Sequence, residues 1–583
     1  MPTPTFDITT SSNRRLFAIL LLVASCLGAF EGFYGRVRYS GDAIAYLNIV
    51  HAIHAGDWRV ALNPLWGLGY PLIIAAVTRL FPSSPAGEWI ALHCVNFAIY
   101  LATFASFFYL VRTMARTFRL GWIAEDILAR RYLLLGAFAI FLSIELSMDN
   151  VSRVGPDLLI SCLVFLASAL LLKLQDYAGS RIAMMLGVVC GAGFVVKNIF
   201  LPLTLVFAVL ILLCVKNKQE AIRSALLTVA CAAVFVTPYA YGLSWAAGHF
   251  TMGESGSINY AWHVNKLQGG AFWQGGPAGY GTPIHPPQVL SIHPHVYLFK
   301  EPFPVTFPPF FNPPYYYQGY RHFFSPKAQI RAIGGNLKRL AQVLKTQLIV
   351  IAFGLCAVLS FGMSYARRRW FRSTAGLWPL LLLSSAGIGM YLLVWLEARY
   401  IASFEALILL VLLVKLMTEK RDSLPLMSPL RRGALYLVIM AAGCVGTLLA
   451  TEHDEDRNVL GNALHHETFR NSDQWRAGMY LKQTEMAPGN QVAVISDLLN
   501  ASRCTWAYVA DLRIIGELNG DLPPYASDDF DVFWHASPAE QRRILELFHQ
   551  AGAKLVFAQS KPDDVVAPGW TSIPGTKFWI YRF

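Results

Sequence analysis

Six residues carry chemistry that their neighbourhoods do not explain. Asp42 follows Ser40 and Gly41, Asp157 follows Pro156, and Arg153 stands four residues before it. Lys197 interrupts an apolar stretch over 182–215, and Glu397 and Arg399 flank Ala398 between two further apolar runs. A carboxylate with no obligatory partner suits a proton acceptor. Arginines and a lysine at one level of a membrane suit a phosphate, the arginine as a fork and the lysine as a point charge. Each residue also has a plainer reading. Asp42 is placed to cap a helix, Asp157 is an acid in a helix first turn, and Lys197 is a lysine reaching for the interface. Arg399 is then the ion-pair partner of Glu397. Glu145 lies inside an apolar pattern, where a charge is costly unless it is paired or lines a cavity.

The elements that position these residues follow from composition. Of 583 residues 55% are hydrophobic and 14% charged, with a mean hydropathy of +0.43. That charged share is too low for an ordinary soluble enzyme. The apolar residues form runs at roughly 16–33, 88–111, 132–148, 155–172, 182–196, 199–215, 222–246, 347–365, 375–395, 400–417 and 433–451. Such lengths approach or match a hydrocarbon core of ~30 Å. We expect a polytopic α-helical membrane protein of about eleven spans. The run 68–81 is shorter and holds Pro71, which fits a re-entrant or interfacial segment.

Leaving 68–81 uncrossed places Arg14, Arg15, Arg112, Arg116, Arg119, Arg130 and Arg131 on the cytoplasmic side. Lys216, Lys218, Arg223, Arg367, Arg368, Arg369, Arg372, Lys420, Arg421, Arg431 and Arg432 follow. This obeys the positive-inside tendency and accounts for most of the net charge of +12, so nucleic acid is not called for. The amino terminus is then inside and the carboxyl terminus outside. We expect an integral protein of a bacterial inner membrane, with a transmembrane domain over 1–451 and an extracytoplasmic α/β domain over 452–583.

Two large outer loops are expected, 34–87 and 247–346, the second rich in Pro and aromatic residues. In the first, Ile44, Leu47, Val50 and Ile53 recur at helical spacing and suggest a helix lying on the membrane surface. In the tail, 491–495, 513–515, 554–557 and 578–583 read as strands, with helices at 473–483 and 538–551. No glycine-rich nucleotide motif and no Cys-x-x-Cys pair occurs. Histidines 263, 285, 293, 295 and 322 lack metal-ligand spacing, and we expect no divalent metal and no cofactor.

The order of Asp42 and Tyr46, Gly56-Asp57-Trp58, Gly69-Tyr70-Pro71, Pro156-Asp157, Lys197 and Glu397-Ala398-Arg399-Tyr400 resembles the GT-C glycosyltransferases. Within them it looks most like the protein O-mannosyltransferase and lipid A aminoarabinose transferase branch, over about residues 14–420. The resemblance implies a polyprenyl-phosphate-linked sugar donor, a catalytic Asp at the position of Asp42, and a soluble domain outside. The chain departs from the pattern in lacking an acid beside Asp42 and in its long 247–346 loop.

The reading is a membrane glycosyltransferase with Asp42 as base and Asp157 orienting acceptor or sugar. Lys197, Arg399 and Arg153 would hold the donor phosphate, and Tyr46, Tyr70, Glu397, Tyr400 and His54 would line the substrate pocket. The acceptor is a protein, lipid or glycan. A transporter or flippase and a non-enzymatic envelope assembly protein are the rivals. A transporter would carry ionisable residues through the bilayer midplane, whereas here nearly all sit at one boundary.

Overall fold

A computed structural model describes residues 11–37, 39–117, 127–177, 179–267, 272–299, 303–361, 376–418, 429–452, 458–484, 486–496, 501–519 and 531–583. Arg119, Arg367, Arg368, Arg369, Arg372, Lys420 and Arg421 lie outside the described residues. The chain is a polytopic helical membrane protein, and within the described residues each of the eleven apolar runs is largely helical. Among the described residues seven helices are long and apolar enough to cross a membrane: Asn13–Tyr34, Pro85–Thr117, Leu128–Asp149, Asp157–Asp176, Lys218–Ala247, Ala398–Met417 and Gly433–Ala450. Ser180–Val196, Phe200–Cys214 and Trp378–Leu393 are shorter, and Leu348–Leu359 follows Pro326–Thr346 across an 80° bend. By length and composition alone the described residues give seven spans, or eight with the bent pair, beside the eleven apolar runs of the sequence.

The described chain divides into two compact units, 1–35 with 93–239 and 329–461, and 36–92 with 240–328 and 462–583. The first is a helical bundle. Phe104, Phe107, Phe141 and Phe165 interlock at its centre, with ring centroids 5.1–5.5 Å apart between successive partners. Elsewhere backbones meet directly. A Cβ on Gly187 would lie 2.4 Å from the Thr228 carbonyl, and one on Gly191 would lie 2.9 Å from that of Ala232. Small residues at such crossings are how helices associate in lipid, where no hydrophobic force draws them together.

The second unit gathers both large loops and the tail, so 452–583 is not a separate body. Its sheet has seven strands: β1 (Gln288–Ile292), β2 (His295–Leu298), β3 (Gln491–Ile495), β4 (Arg513–Asn519), β5 (Leu555–Ala558), β6 (Trp570–Ser572) and β7 (Trp579–Arg582). The order is β1-β2-β4-β3-β5-β7-β6. The central β4, β3 and β5 are parallel, and the hairpins β1–β2 and β6–β7 flank them antiparallel. Ile495, Leu518, Phe533, Ile544, Phe548 and Val556 share one core beneath it. Each such side chain contributes about 1.5–3 kcal/mol on burial. The strands and helices expected in the tail are present; β1, β2 and β6 are additions.

The first loop differs from its expected form. Helix Gly41–Ala55 buries Ala43, Ile44, Ala45, Leu47, Ile49 and Val50 together, so it is a core helix of the second unit and not a surface one. Its apolar residues run round the whole circumference, and a helix of that kind is buried. Ser40, not Asp42, caps it, accepting from the Ala43 amide, and Gly56 ends it at φ 73°, a left-handed conformation that glycine adopts without strain. The run expected as re-entrant or interfacial forms the ten-residue helix Gly69–Thr78.

Candidate functional site

Most of the charged residues singled out in the sequence meet in the helical unit. Pro156 and Asp157 open helix Asp157–Asp176, so the Asp157 carboxylate projects at a helix N-terminus. Lys197 is the residue where helix Ser180–Val196 stops. Its backbone is extended (φ −158°, ψ 133°), and Phe200 begins the next helix three residues later. That break turns the side chain onto Asp157, with Nζ 2.6 Å from Oδ1. Arg399 lies in the first turn of Ala398–Thr418 and divides its guanidinium between two carboxylates. Nε donates to Glu397 Oε2 at 2.7 Å, and Nη1 is 3.6 Å from Asp157 Oδ2. The Tyr400 ring lies under both cations, 4.0 Å from Lys197 Nζ and 5.1 Å from the Arg399 guanidinium carbon.

The segment 150–156, which carries Arg153, is tied down from helix Pro85–Thr117. Asn96 Nδ2 donates to the carbonyls of Val151 and Arg153 at 3.1 and 2.8 Å, and His93 Nε2 is 3.2 Å from that of Ser152. Asn150, at φ 35°, accepts the Arg153 amide through its side chain. A side chain on Gly155 would stand 3.4 Å from Asp157 Oδ2, so glycine leaves the pair its room. Behind Asp157 the bundle buries two more carboxylates, Glu145 and Asp149, in a π-helical turn, with Ser161 donating to Asp149 Oδ2 at 2.8 Å. Glu145 and Asp149 thus lie in the interior, where the sequence had marked Glu145 as needing company.

Burial would raise the Glu397 carboxyl, but Arg399, a hydrogen bond from Trp395 and the charge of Arg153 outweigh it and hold the group below the usual range. It stays ionised. Three cations (Lys197, Arg399, Arg153) thus act on two carboxylates (Asp157, Glu397), with Asp149 behind them. Such a site is suited to an anion with several oxygens. Trp395 was not marked in the sequence; its indole donates to Glu397 Oε1 at 3.0 Å and orients that carboxylate toward Arg399. Arg339 stacks on the same indole at 3.4 Å, and Asn336 donates to the Leu392 carbonyl at 3.0 Å.

Asp42 belongs to the second unit, half-buried in the first turn of Gly41–Ala55. One turn on, Tyr46 packs against Trp66 and Tyr70 with centroids 5.2 and 5.1 Å apart. Tyr46 and Tyr70 are 3% and 0% exposed, so they support the Asp42 helix from within and do not line a pocket. His54 lies three turns from Asp42 and is 3.0 Å from the Ala75 carbonyl, which assigns it to packing of Gly69–Thr78. Among the described residues no group of three or more His, Cys, Asp or Glu could hold a metal.

No family model matches the sequence, and no curated protein matches it. Solved structures do match. ArnT from Cupriavidus metallidurans bound to undecaprenyl phosphate is 11% identical, with a TM-score of 0.53 over 97% of both chains. Its apo state is 13% identical, with a TM-score of 0.52 over 97% of this chain and 98% of that one. The apo oligosaccharyltransferase of Archaeoglobus fulgidus is 12% identical, with a TM-score of 0.46 over 93% of this chain and 69% of that one. The chain adopts the fold of ArnT over 97% of its length, in agreement with the architecture expected from the ordered motifs.

Proposed function

We propose that this protein is a membrane glycosyltransferase that moves a sugar from a polyprenyl-phosphate-linked donor to an acceptor hydroxyl at the extracytoplasmic face of a bacterial inner membrane. The observation that carries this reading is the cluster around Asp157, where Lys197 and Arg399 contact the carboxylate and the charge of Arg153 acts on it. The similarity to a structure bound to undecaprenyl phosphate agrees with it.

In this mechanism the acceptor oxygen attacks the anomeric carbon while the bond from that carbon to the phosphate oxygen breaks. The lipid phosphate leaves with the bonding electrons, and Lys197 and Arg399 stabilise the charge that develops on it. Asp42 takes the acceptor proton, and the sugar inverts. Asp157 keeps the two cations apart and aimed, which is a positioning role and replaces the sugar-orienting one expected from sequence. The phosphate is already the leaving group, so no nucleotide enters, and the reading assigns no step to a divalent metal. The amino terminus is cytoplasmic and the sheet-bearing unit outside, as the basic loops require.

The test is transfer from radiolabelled polyprenyl-phosphate sugars by the protein in reconstituted vesicles, with and without a chelator. Asp42→Asn should lower turnover about 10²–10⁴-fold, the usual contribution of a general base. Its melting temperature should not move, because Ser40 supplies the cap. Near-normal turnover in Asp42→Asn would remove the base. Strong inhibition by chelator, restored by one divalent ion, would overturn the metal-free mechanism. Transport of the lipid without sugar transfer would favour the flippase rival.

A further inference from the structure

The second unit contains a cavity of about 330 Å³ that the transferase reading does not use. It begins at Asp57, just past the end of helix Gly41–Ala55. Asp42 stands at the other end of that helix, roughly 22 Å away along an axis rising 1.5 Å per residue. It is therefore separate from the Asp42 site. Its volume falls at the small end of ligand pockets, which run from about 300 Å³ upward.

The side chains lining it keep hydrogen-bonding arms unused. Asp57 spends Oδ1 on the Val60 amide, and Glu254 spends Oε1 on His249 Nε2 at 2.7 Å. Asn312 accepts the Tyr315 amide through Oδ1, and Gln318 Nε2 reaches His249 Nδ1 at 3.5 Å. Among the described residues this leaves Asp57 Oδ2, Glu254 Oε2 and Gln318 Oε1 as acceptors. Asn312 Nδ2 remains as a donor, and Arg59, stacked on Trp245 at 5.3 Å, offers its N–H groups. One wall is aromatic, with His285 stacked on Tyr315 at 4.3 Å and Phe303 beside them.

These groups select among ligands. Two carboxylates repel a phosphate, and the guanidinium opposes an ammonium ion. Three charged side chains in the lining, Asp57, Arg59 and Glu254, disfavour a hydrocarbon. A polyol fits: each hydroxyl donates to one carboxylate or carbonyl and accepts from an amide or guanidinium. The C–H face of a sugar ring covers the aromatic wall. Trp58, Trp245 and Phe250, chain neighbours of the lining residues Asp57, Ala246 and His249, are exposed, and Ala247 ends a helix of membrane-spanning length. Aromatic residues at such a helix end mark the membrane–water interface.

We propose that this cavity is a saccharide-binding site at the interface. As the place where the acceptor is held it rests on the transferase reading above; as a saccharide site it does not. The probes are methyl α-mannoside, methyl β-glucoside, methyl β-galactoside and N-acetylglucosamine added to the full chain in phosphatidylcholine nanodiscs. A parallel arm dopes the same nanodiscs with diglucosyl diacylglycerol. Binding is read by tryptophan fluorescence and saturation-transfer NMR with no donor lipid present, so failure of the transfer assay leaves the result standing.

We expect saturable binding of at least one probe. Binding should be weakened about tenfold or more by Glu254→Gln and by Tyr315→Leu, and less by Gln318→Ala, at unchanged melting temperature. Binding of the lipid-borne sugar alone assigns the site to a glycolipid headgroup, and binding of free sugars equally well assigns it to a soluble glycan. The proposal is overturned if no probe binds in either arm, if all three variants bind like the parent, or if lysine methyl ester displaces every sugar.

Discussion

Two carboxylates stand in the first turn of two membrane helices and are held in opposite ways. Asp157 of the helical unit is 8% exposed and is met by a lysine and an arginine. Glu88 of the sheet-bearing unit is 16% exposed and is met by the His51 imidazole at 2.9 Å and by the Tyr508 hydroxyl. The helix N-terminus favours the anion in both places. What differs is the partner. Around Asp157 the partners are permanent cations, whose N–H groups suit a phosphate. Around Glu88 they are a phenol and a titratable ring, and these join the tail to the first loop within one unit. A carboxylate in a helix first turn is a binding device in one case and a fastening in the other.

The sharpest way to break this comparison is to remove those cations one at a time. Lys197→Ala and Arg399→Ala should each lower transfer about 10²–10³-fold, the scale for losing one donor to a developing anion, and should weaken donor-lipid binding. Arg399→Lys should recover part of it, since charge returns without the fork. If Arg399→Ala and Glu397→Ala lost melting temperature alike and left lipid affinity untouched, Arg399 would be a structural partner only.

A second pair of variants compares the carboxylates themselves. Asp157→Asn leaves buried cations without compensation, which costs about 3–5 kcal/mol, whereas Glu88→Gln leaves hydrogen bonds imperfect at about 1–3 kcal/mol. Melting temperatures should fall in that order. Added polyprenyl phosphate should raise the melting temperature of Asp157→Asn more than that of the parent, because the anion replaces the missing charge. Equal rescue of Glu88→Gln would erase the distinction drawn above.

The smallest effect concerns pH. Burial would lower the His51 ring, but its hydrogen bond to Glu88 and the charges of Glu88 and Asp511 win and raise it. A group raised on folding stabilises the protein fully below its unfolded value, about 6.5. That contribution disappears as pH rises through the higher folded value. Melting temperature should therefore drift down from about pH 6.5 upward, and His51→Gln should flatten the drift. A profile unchanged in His51→Gln would take the imidazole out of the junction.

Sequence made part of this visible. Lys197 could be found because a lysine within an apolar stretch needs an explanation, and Glu397-x-Arg399 because arginine runs against the charge rule there. Trp395, Asn96 and His93, which orient those residues, carry no such signal, since aromatic and amide residues are common at helix ends and helix contacts. The spacing of Ile44, Leu47, Val50 and Ile53 misled. Ala43, Ala45 and Ile49 on the opposite faces were the better guide to a buried helix. Tyr70 is fully buried and His54 meets the Ala75 carbonyl for a related reason. Motif order says which residues are neighbours in sequence, and burial decides which of them a substrate can reach.

The seam between β2 and β4 has a consequence for how the molecule is made. Leu298 pairs with Gly516, more than two hundred residues later. A ribosome feeding this chain into a membrane delivers the β1–β2 hairpin first, then the helices from Pro326 to Ala450, and only afterwards the strand that completes it. Throughout that interval β2 presents an open edge, the kind of surface on which chains add to one another. Loss of the final 70 residues would leave that edge open for good. Biogenesis of this protein thus has a vulnerable window whose length is set by the time taken to insert the intervening helices, and it closes when β4 arrives.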